Sequence, residues 1–402
     1  MSPNVFPDPP AGAVRELWPL EPGVTFLNHG SFGACPRAVL EAQQRYRDQM
    51  ERQPVRFFLR EIEPLLDAAR GELASFVGAD PEDLVFVPNA TAGVNTVLRS
   101  LPLGADDEIC VTDHGYNACR NAAEAAAARA GARVVVAAVP FPIEAPEQVV
   151  EAVLAAVGPR TRLVLVDHVT SPTGLVFPVA ALAAELAGRG VDLLIDGAHA
   201  PGMVPLDLRA LGAAYYTGNC HKWLCAPKGA GFLHVRRDRQ GAIRPLVISH
   251  GANSPRADRS RFLLEFDWTG TSDPSAALCV ADAIRFLGAL LPGGWPALRA
   301  HNRATALAAR DLLCEALGCR PPGPDAMVGA LATVPLPDAP SSPPRLDPLQ
   351  DALLDRWGIE VPVFAWPASP RRWLRISAQI YNERSHYERL AAALAAALAA
   401  LP

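Results

Sequence analysis

Several signals are missing from this chain, and each absence narrows what it can be. The first residues, MSPNVFPDPP, lack a basic stretch followed by an apolar one. Charges, Gly and Pro interrupt the Ala-rich segments before any apolar run reaches spanning length. A cytoplasmic protein with no membrane partner is therefore expected. Basic charge is not in excess: a net charge of −5 and a pI near 6.0, with Lys and Arg spread along the chain, argue against nucleic acid or anionic lipid as partners. Eight cysteines in 402 residues do not make a disulfide framework. Neither Cys220/Cys225 nor Cys314/Cys319 has zinc-finger spacing or a second ligand pair nearby, so no metal site is expected. No GxGxxG turn follows the first strand-like run, which disfavours a dinucleotide-dependent oxidoreductase. No internal repeat is present either. What remains is a long chain, half of it apolar, able to bury a large core in two or three domains.

From about Leu84 to Val235, short β-rich runs alternate with Ala/Leu/Glu-rich stretches. The runs are LVFV, EICVTD, RVVVAAV, TRLVLVDHV, VDLLIDGAH, AAYYTGN and GAGFLHV, with helical segments such as NACRNAAEAAAARAGA and PVAALAAELAGRGV between several of them. Continuous apolar strands separated by helices predict an α/β fold with a mainly parallel, mixed sheet covered on both faces. Ligand groups should then gather at the carboxyl ends of the strands. Two helices are expected earlier, near Pro36 and Leu59, after the turn-rich LNHGSFGACP. After Asp273 the chain turns helical, crosses the Pro/Ser-rich DAPSSPPRLDP, and ends in a short β-like run, WLRISAQI, and an Ala/Leu-rich helix. The expected organisation is an N-terminal arm over 1–20, a large domain over 21–274 and a smaller α+β domain over 275–402.

The segment VDLLIDGAHAPGMVPLDLRALGAAYYTGNCHKWLCAPKGAGFLHV carries the clearest chemistry. Asp196 ends an apolar strand and Lys222 follows the next one. A lone Asp there is usually a helix cap and a lone Lys a solvated charge. Here the apolar flanks of Asp196 make a carboxylate costly without a cationic partner. Lys222 stands in a glycine-punctuated turn where backbone can approach a flat ligand. Pyridoxal 5′-phosphate (PLP) chemistry requires this pair: a lysine to hold the cofactor as an imine, and a carboxylate to keep the pyridine nitrogen protonated. In NATAGVN, the amides of Ala90 and Thr91 with the Thr91 hydroxyl can cradle a phosphate at a helix N-terminus, or Thr91 can simply cap the helix.

FVPNATAGVN, TDHGYNA, DHVTSPTGLVFP, DGAHAPG, TGNCHKWLCAPKGAGFL and WTGTSDPSA occur in this order, and the chain from LNHGSFGACPRAVL to RISAQIYN resembles class V PLP enzymes of fold type I, within them the isopenicillin-N-epimerase-like branch. The resemblance implies the PLP-dependent transferase fold, with Lys222 as the imine lysine and Asp196 on the ring nitrogen. His199 falls where the family contacts the cofactor's phenolic oxygen, with Ser171 near a second such contact; a satisfied core histidine is the other possibility for His199. Asn219 and His221 match phosphate-side positions. Thr271 matches a hydroxyl presented to the phosphate of a neighbouring subunit, which implies a homodimer with shared active sites. In TDHGYNA the family lays an aromatic ring on the cofactor, with His114 the first choice and Tyr116 the second.

Arg375 is the candidate for the α-carboxylate of a small amino-acid substrate, because a guanidinium matches a carboxylate bidentately. Arg371 and Arg372 compete but follow Ser and Pro in a loop-like stretch. Asn28 and His29 are candidates to face the substrate, or to form a structural turn. The arginines of ERQPVRFFLRE read as a solvated helix face rather than a site for a distal carboxylate. Such machinery would remove an α-proton. Epimerisation is expected, with C–S bond cleavage or transamination as alternatives and a silent PLP-fold binding protein less favoured. Candidates for the second acid that epimerisation needs are His114, Tyr116 and His29. RWGIEVPVFAWPASPRRW, just before Arg375, contains no cysteine, which disfavours a persulfide-forming desulfurase.

Overall fold

The computed structural model describes residues 4–8, 14–338 and 346–399. Twelve strands form among them: β1 (Thr25–Phe26), β2 (Leu84–Val87), β3 (Glu108–Thr112), β4 (Arg133–Ala137), β5 (Thr161–Asp167), β6 (Asp192–Gly197), β7 (Tyr215–Asn219), β8 (Gly231–Val235), β9 (Leu331–Leu336), β10 (Ile359–Glu360), β11 (Val363–Ala365) and β12 (Arg372–Ser377). The seven β-rich runs between Leu84 and Val235 become one sheet, ordered β2-β8-β7-β6-β5-β3-β4. β8 runs antiparallel to both neighbours, and all other pairs are parallel. β3, β7 and β8 are buried along their whole length, as continuous apolar runs require. Side chains alternate between two apolar layers. Leu163 and Leu165 of β5 join Val94, Val97, Ala123 and Ala127 from the helices Ala90–Ser100 and Asn117–Ala130. Val164 and Val166 join Leu182 and Leu186 of Val179–Gly188 on the opposite face.

The helix expected near Pro36 spans Arg37–Arg52, and the one expected near Leu59 lies in a run from Pro54 to Val77 that includes a π turn at Phe57–Glu61. A three-stranded antiparallel sheet, β11-β12-β9, packs with the terminal helix Arg384–Ala399 in a separate core containing Leu374, Ile376, Leu390 and Leu394. Most of DAPSSPPRLDP, residues 339–345, lies outside the described residues, as do parts of the arm and the last three residues. No helix among the described residues is long and apolar enough to cross a membrane.

Both expected domain limits shift. β1 pairs in parallel with β10, and Leu27 is buried in the C-terminal core, so the start of the supposed large domain belongs to the small one. Beyond residue 274, Cys279, Val280 and Ala283 pack into the large core, because the helix Val280–Gly288 turns its apolar face onto Arg37–Arg52 and Ile62–Val77. The crossover falls in the long helix Gly294–Leu317.

LNHGSFG forms a short helix, His29–Phe32, ended by Gly33 at φ 72°. A Cβ on Gly33 would lie 2.0 Å from the His221 carbonyl oxygen and 2.9 Å from Lys222 Cα, so only glycine lets this segment rest on the Lys222 backbone. Gly33→Ala is expected to destabilise the protein by about 2–4 kcal/mol, from steric conflict together with an unfavourable φ. Denaturant unfolding measures this, and a change below about 0.5 kcal/mol would show that the contact is unimportant.

Candidate active site

The carboxyl ends of β5 and β6 place two buried carboxyl groups side by side, with Asp167 and Asp196 directly in register. Asp196 accepts from the Ala198 amide at 2.9 Å and from the Cys119 thiol at 3.0 Å. Asp167 accepts from the Tyr116 amide at 3.4 Å. Burial, reinforced by the charge of Asp196, holds the Asp167 carboxyl well above the usual carboxylate range.

Lys222 enters this region from the turn after β7, and its Nζ lies 3.1 Å from His199 Nε2. Burial and then the nearby Arg375 charge lower its pKa to about 8, so the neutral amine is within reach at mildly alkaline pH. The Trp223 indole donates to His199 Nδ1 at 3.3 Å. That bond fixes the tautomer, leaving Nε2–H to point at the lysine nitrogen. Burial pushes His199 well below its ordinary value, so it serves as a neutral donor.

Among the positions expected to face a phosphate, the helix Ala90–Ser100 starts just beyond β2. Asn89 is its cap, accepting from the Ala92 amide at 2.9 Å, which leaves Thr91 without the capping role open to it from sequence alone. Asn219 Oδ1 accepts from the Ala90 amide at 2.8 Å and ties this helix to the end of β7. His221 Nδ1 donates to the Ala230 carbonyl at 2.9 Å. A Cβ on Gly93 would meet Thr217 Oγ1 at 2.1 Å, so this helix sits closer to β7 than any other residue would permit. Thr271 is exposed, in the turn before Ser275–Leu278.

Two sequence candidates are not placed as expected. His114 is fully buried among Phe141, Phe177 and Trp366, with Nε2 donating to the Val139 carbonyl at 3.2 Å and Nδ1 accepting from Thr173 Oγ1 at 2.7 Å. Its ring is committed to packing and is not free to lie on a cofactor. His29, expected to face the substrate, donates from Nε2 to the Lys222 carbonyl at 3.0 Å and accepts from the Tyr381 hydroxyl at 2.7 Å. Burial lowers its pKa to about 3, and it braces the Lys222 backbone from below as a neutral ring. Tyr116, the second choice for stacking, is 44% exposed. Asn28 donates to Glu360 at 2.8 Å and accepts from Ser31 Oγ, the hydroxyl that also meets Arg375.

Arg375 comes from β12 and reaches across to the large domain. It donates from Nη1 to Ser171, at both the carbonyl and Oγ, and from Nη2 to Ser31 Oγ at 3.2 Å; its Nε has no partner. Ser171 therefore meets the arginine rather than standing alone beside a phenolic oxygen. Of the four buried arginines among the described residues, Arg70, Arg310 and Arg372 each face a carboxylate, and Arg375 does not. Burial pulls it down to about 10. A dry guanidinium without an anion is costly, and a ligand carboxylate would relieve it. Arg372, its competitor in sequence, is paired with Asp347 at 3.1 Å.

Sequence reasoning missed Asp167, Ser31, Trp223 and Cys119. Asp167 carried a usable signal, since it ends an apolar strand just as Asp196 does. So did lysine usage: only two of the 37 basic residues are lysines, Lys222 and Lys228, and Lys228 donates to the Gly33 carbonyl at 2.9 Å.

A model of the aminotransferase class-V family matches residues 26–335. The chain is 40% identical over 396 residues to an isopenicillin N epimerase of Amycolatopsis lactamdurans, covering 94% of this chain and 96% of that protein. It is 28% identical to an L-cysteine desulfhydrase of Arabidopsis thaliana, over 92% and 86% of the two chains. A solved structure of a C-DES variant with glycine covalently linked to its PLP cofactor superposes with a TM-score of 0.79 at 24% identity, covering 97% of this chain and 99% of that one.

The low pKa of Lys222 has a stability consequence in the cofactor-free protein. The unfolded chain binds the lysine proton below about pH 10.5, whereas the folded chain releases it above about pH 8. The penalty is therefore complete below pH 8, shrinks between these values and vanishes above the upper one. Lys222→Met is expected to be more stable than wild type by ~1–3 kcal/mol at pH 7, with the gap closing as pH rises toward 10.5. Denaturant unfolding at pH 7 and 10 checks it; a pH-independent gap would contradict the buried-charge account.

Proposed function

We propose, from the premise that this chain belongs to the aminotransferase class-V family, that it is a PLP-dependent enzyme acting at the α-carbon of an amino acid or amino-acid derivative, and that it is an epimerase. The carrying observation is Arg375, buried without a carboxylate yet close enough to Lys222 to depress its pKa. A substrate α-carboxylate on this guanidinium would bring the adjacent carbon to the lysine amine. Epimerisation is favoured over C–S cleavage by the 40% identity to the Amycolatopsis epimerase over nearly the whole chain, against 28–32% to cysteine desulfhydrases of Oryza sativa and Arabidopsis thaliana.

The residues fit PLP. Lys222 is an amine of lowered basicity suited to imine formation, the His199 Nε2–H is aimed beside it, and Asp196 lies buried at a strand end with a free lone pair for a ring N–H. The start of Ala90–Ser100, with Thr91, Asn219 and His221 around it, suits the phosphate. When bound, PLP supplies a protonated ring that draws off the electron pair left as a proton departs the α-carbon. Asp196 keeps that ring protonated. Lys222 Nζ takes the α-proton from its own face, and its neutral form is what the depressed pKa makes available. Ser171 and Ser31 orient Arg375, and Arg375 holds the carboxylate. We assign the exposed Thr271 to the phosphate site of a second copy, making the working form a homodimer in the cytoplasm.

Reconstitution with PLP tests the assignment. Wild type is expected to show a visible absorption band, fixed by borohydride as one pyridoxyl group on the Lys222 peptide. Lys222→Ala should lose it, and with two lysines in the chain the mapping is direct. No band at saturating PLP would sink the cofactor assignment. Product analysis with isopenicillin N and a panel of L-amino acids, cysteine included, then separates epimers from pyruvate and sulfide. Arg375→Lys is expected to raise KM by on the order of 10–100-fold while the band persists; an unchanged KM would remove Arg375 from substrate binding.

A further inference from the structure

Inversion at an α-carbon by two groups needs a proton donor on the side away from Lys222. The structure separates the three residues that the sequence offers. His114 and His29 are fully buried with both ring nitrogens bonded, so neither can deliver a proton to a ligand. Tyr116 differs in both respects. It is 44% exposed, and its hydroxyl has no partner among the described residues. Only its main chain is tied down, by the hydrogen bond that its N–H donates to the Asp167 carboxyl group and by its place ahead of the helix Asn117–Ala130.

Sheet topology sets Tyr116 across from the lysine. In the order β7-β6-β5-β3, Lys222 follows β7 and Tyr116 follows β3, with Asp196 and Asp167 ending the two strands between them. Three strand spacings put those two backbones roughly 14 Å apart, a width that two side chains reaching inward can fill with a flat ligand between them. Arg375 lies within electrostatic reach of both groups. A carboxylate held there would place its α-carbon between the amine and the phenol.

We propose that Tyr116 is the proton donor on the face opposite Lys222, a proposal that rests on the epimerase reading above. Lys222 Nζ takes the α-hydrogen as a proton, and the C–H electron pair stays behind. The Tyr116 O–H then breaks, its proton forms the new C–H bond on the other face, and the phenolate is left near Arg375. Water returns a proton to Tyr116 and accepts one from the lysine, so the cycle consumes no proton and needs no oxidant. In the reverse direction the phenolate removes the proton and the lysine ammonium supplies it.

Tyr116→Phe keeps the aromatic ring and removes only the hydroxyl. Two readouts address this variant: PLP affinity and visible spectrum by absorbance titration, and α-hydrogen exchange in D2O from the substrate and from its epimer, with isopenicillin N and free L- and D-amino acids as probes. PLP affinity is expected to stay within about twofold and lysine-side exchange within several-fold of wild type, while inversion falls by about 10²-fold or more, the usual scale for losing a general acid. Inversion at near wild-type rate in Tyr116→Phe would overturn the proposal alone. So would a loss of PLP affinity that lowers exchange from both epimers together, because the residue would then be structural. Wild type that exchanges its α-hydrogen but never inverts would overturn both this proposal and the epimerase reading.

Discussion

Charge buried without an internal partner is the constraint on which the rest of this structure depends. Arg70, Arg310 and Arg372 show how the chain normally handles a buried guanidinium, by facing it with aspartate. Arg375 is treated differently: two serines orient it and no carboxylate among the described residues neutralises it. Across the same space, Asp167 and Asp196 crowd two carboxyl groups at adjacent strand ends, and Lys222 is held with a weakened grip on its proton. Each departure is unfavourable in the empty protein, and each would be relieved by one part of a ligand.

A neutral scaffold keeps those charged groups in place. His199 receives the Trp223 indole and points at Lys222; His29 receives the Tyr381 hydroxyl and supports the Lys222 carbonyl; His114 is locked between a threonine hydroxyl and the Val139 carbonyl. In all three the second hydrogen bond chooses the tautomer, and burial keeps the ring uncharged. Histidines that look like acid–base catalysts by residue type thus act mainly as oriented struts. That leaves the Lys222 amine and the Tyr116 phenol as the groups proposed to handle protons.

The segment from Thr25 to Gly33 unites the two halves of the site. It begins as a strand of the C-terminal unit, pairing with β10. It then presents Asn28 to Glu360, Ser31 to Arg375 and His29 to the Lys222 carbonyl, and ends at a glycine pressed onto the same backbone. Arg375 and Lys222, from different cores, are brought into register by a stretch of nine residues. A small shift of one unit against the other would therefore be felt at both groups.

How much of this was legible beforehand follows from the range of the interactions involved. Strand runs and helix patterns are local, set by alternating or continuous apolar character, so all seven strands of the large sheet were readable from composition and order. Asp196 and Lys222 were readable too, since a carboxylate ending an apolar run and a lysine in a glycine-rich turn are unusual within a few residues of themselves. By sequence alone, then, the sheet and the family were determined, and Asp196, Lys222 and Arg375 were singled out as candidates. The tertiary structure decided the rest: that Leu27 joins the C-terminal core, that Asp167 stands beside Asp196, that Asn89 rather than Thr91 caps its helix, and that His114 and His29 face inward while Tyr116 stays open. Those outcomes depend on which distant atoms fill each polar group's bonding capacity and which strand ends become neighbours, and such pairings form only when the chain is packed.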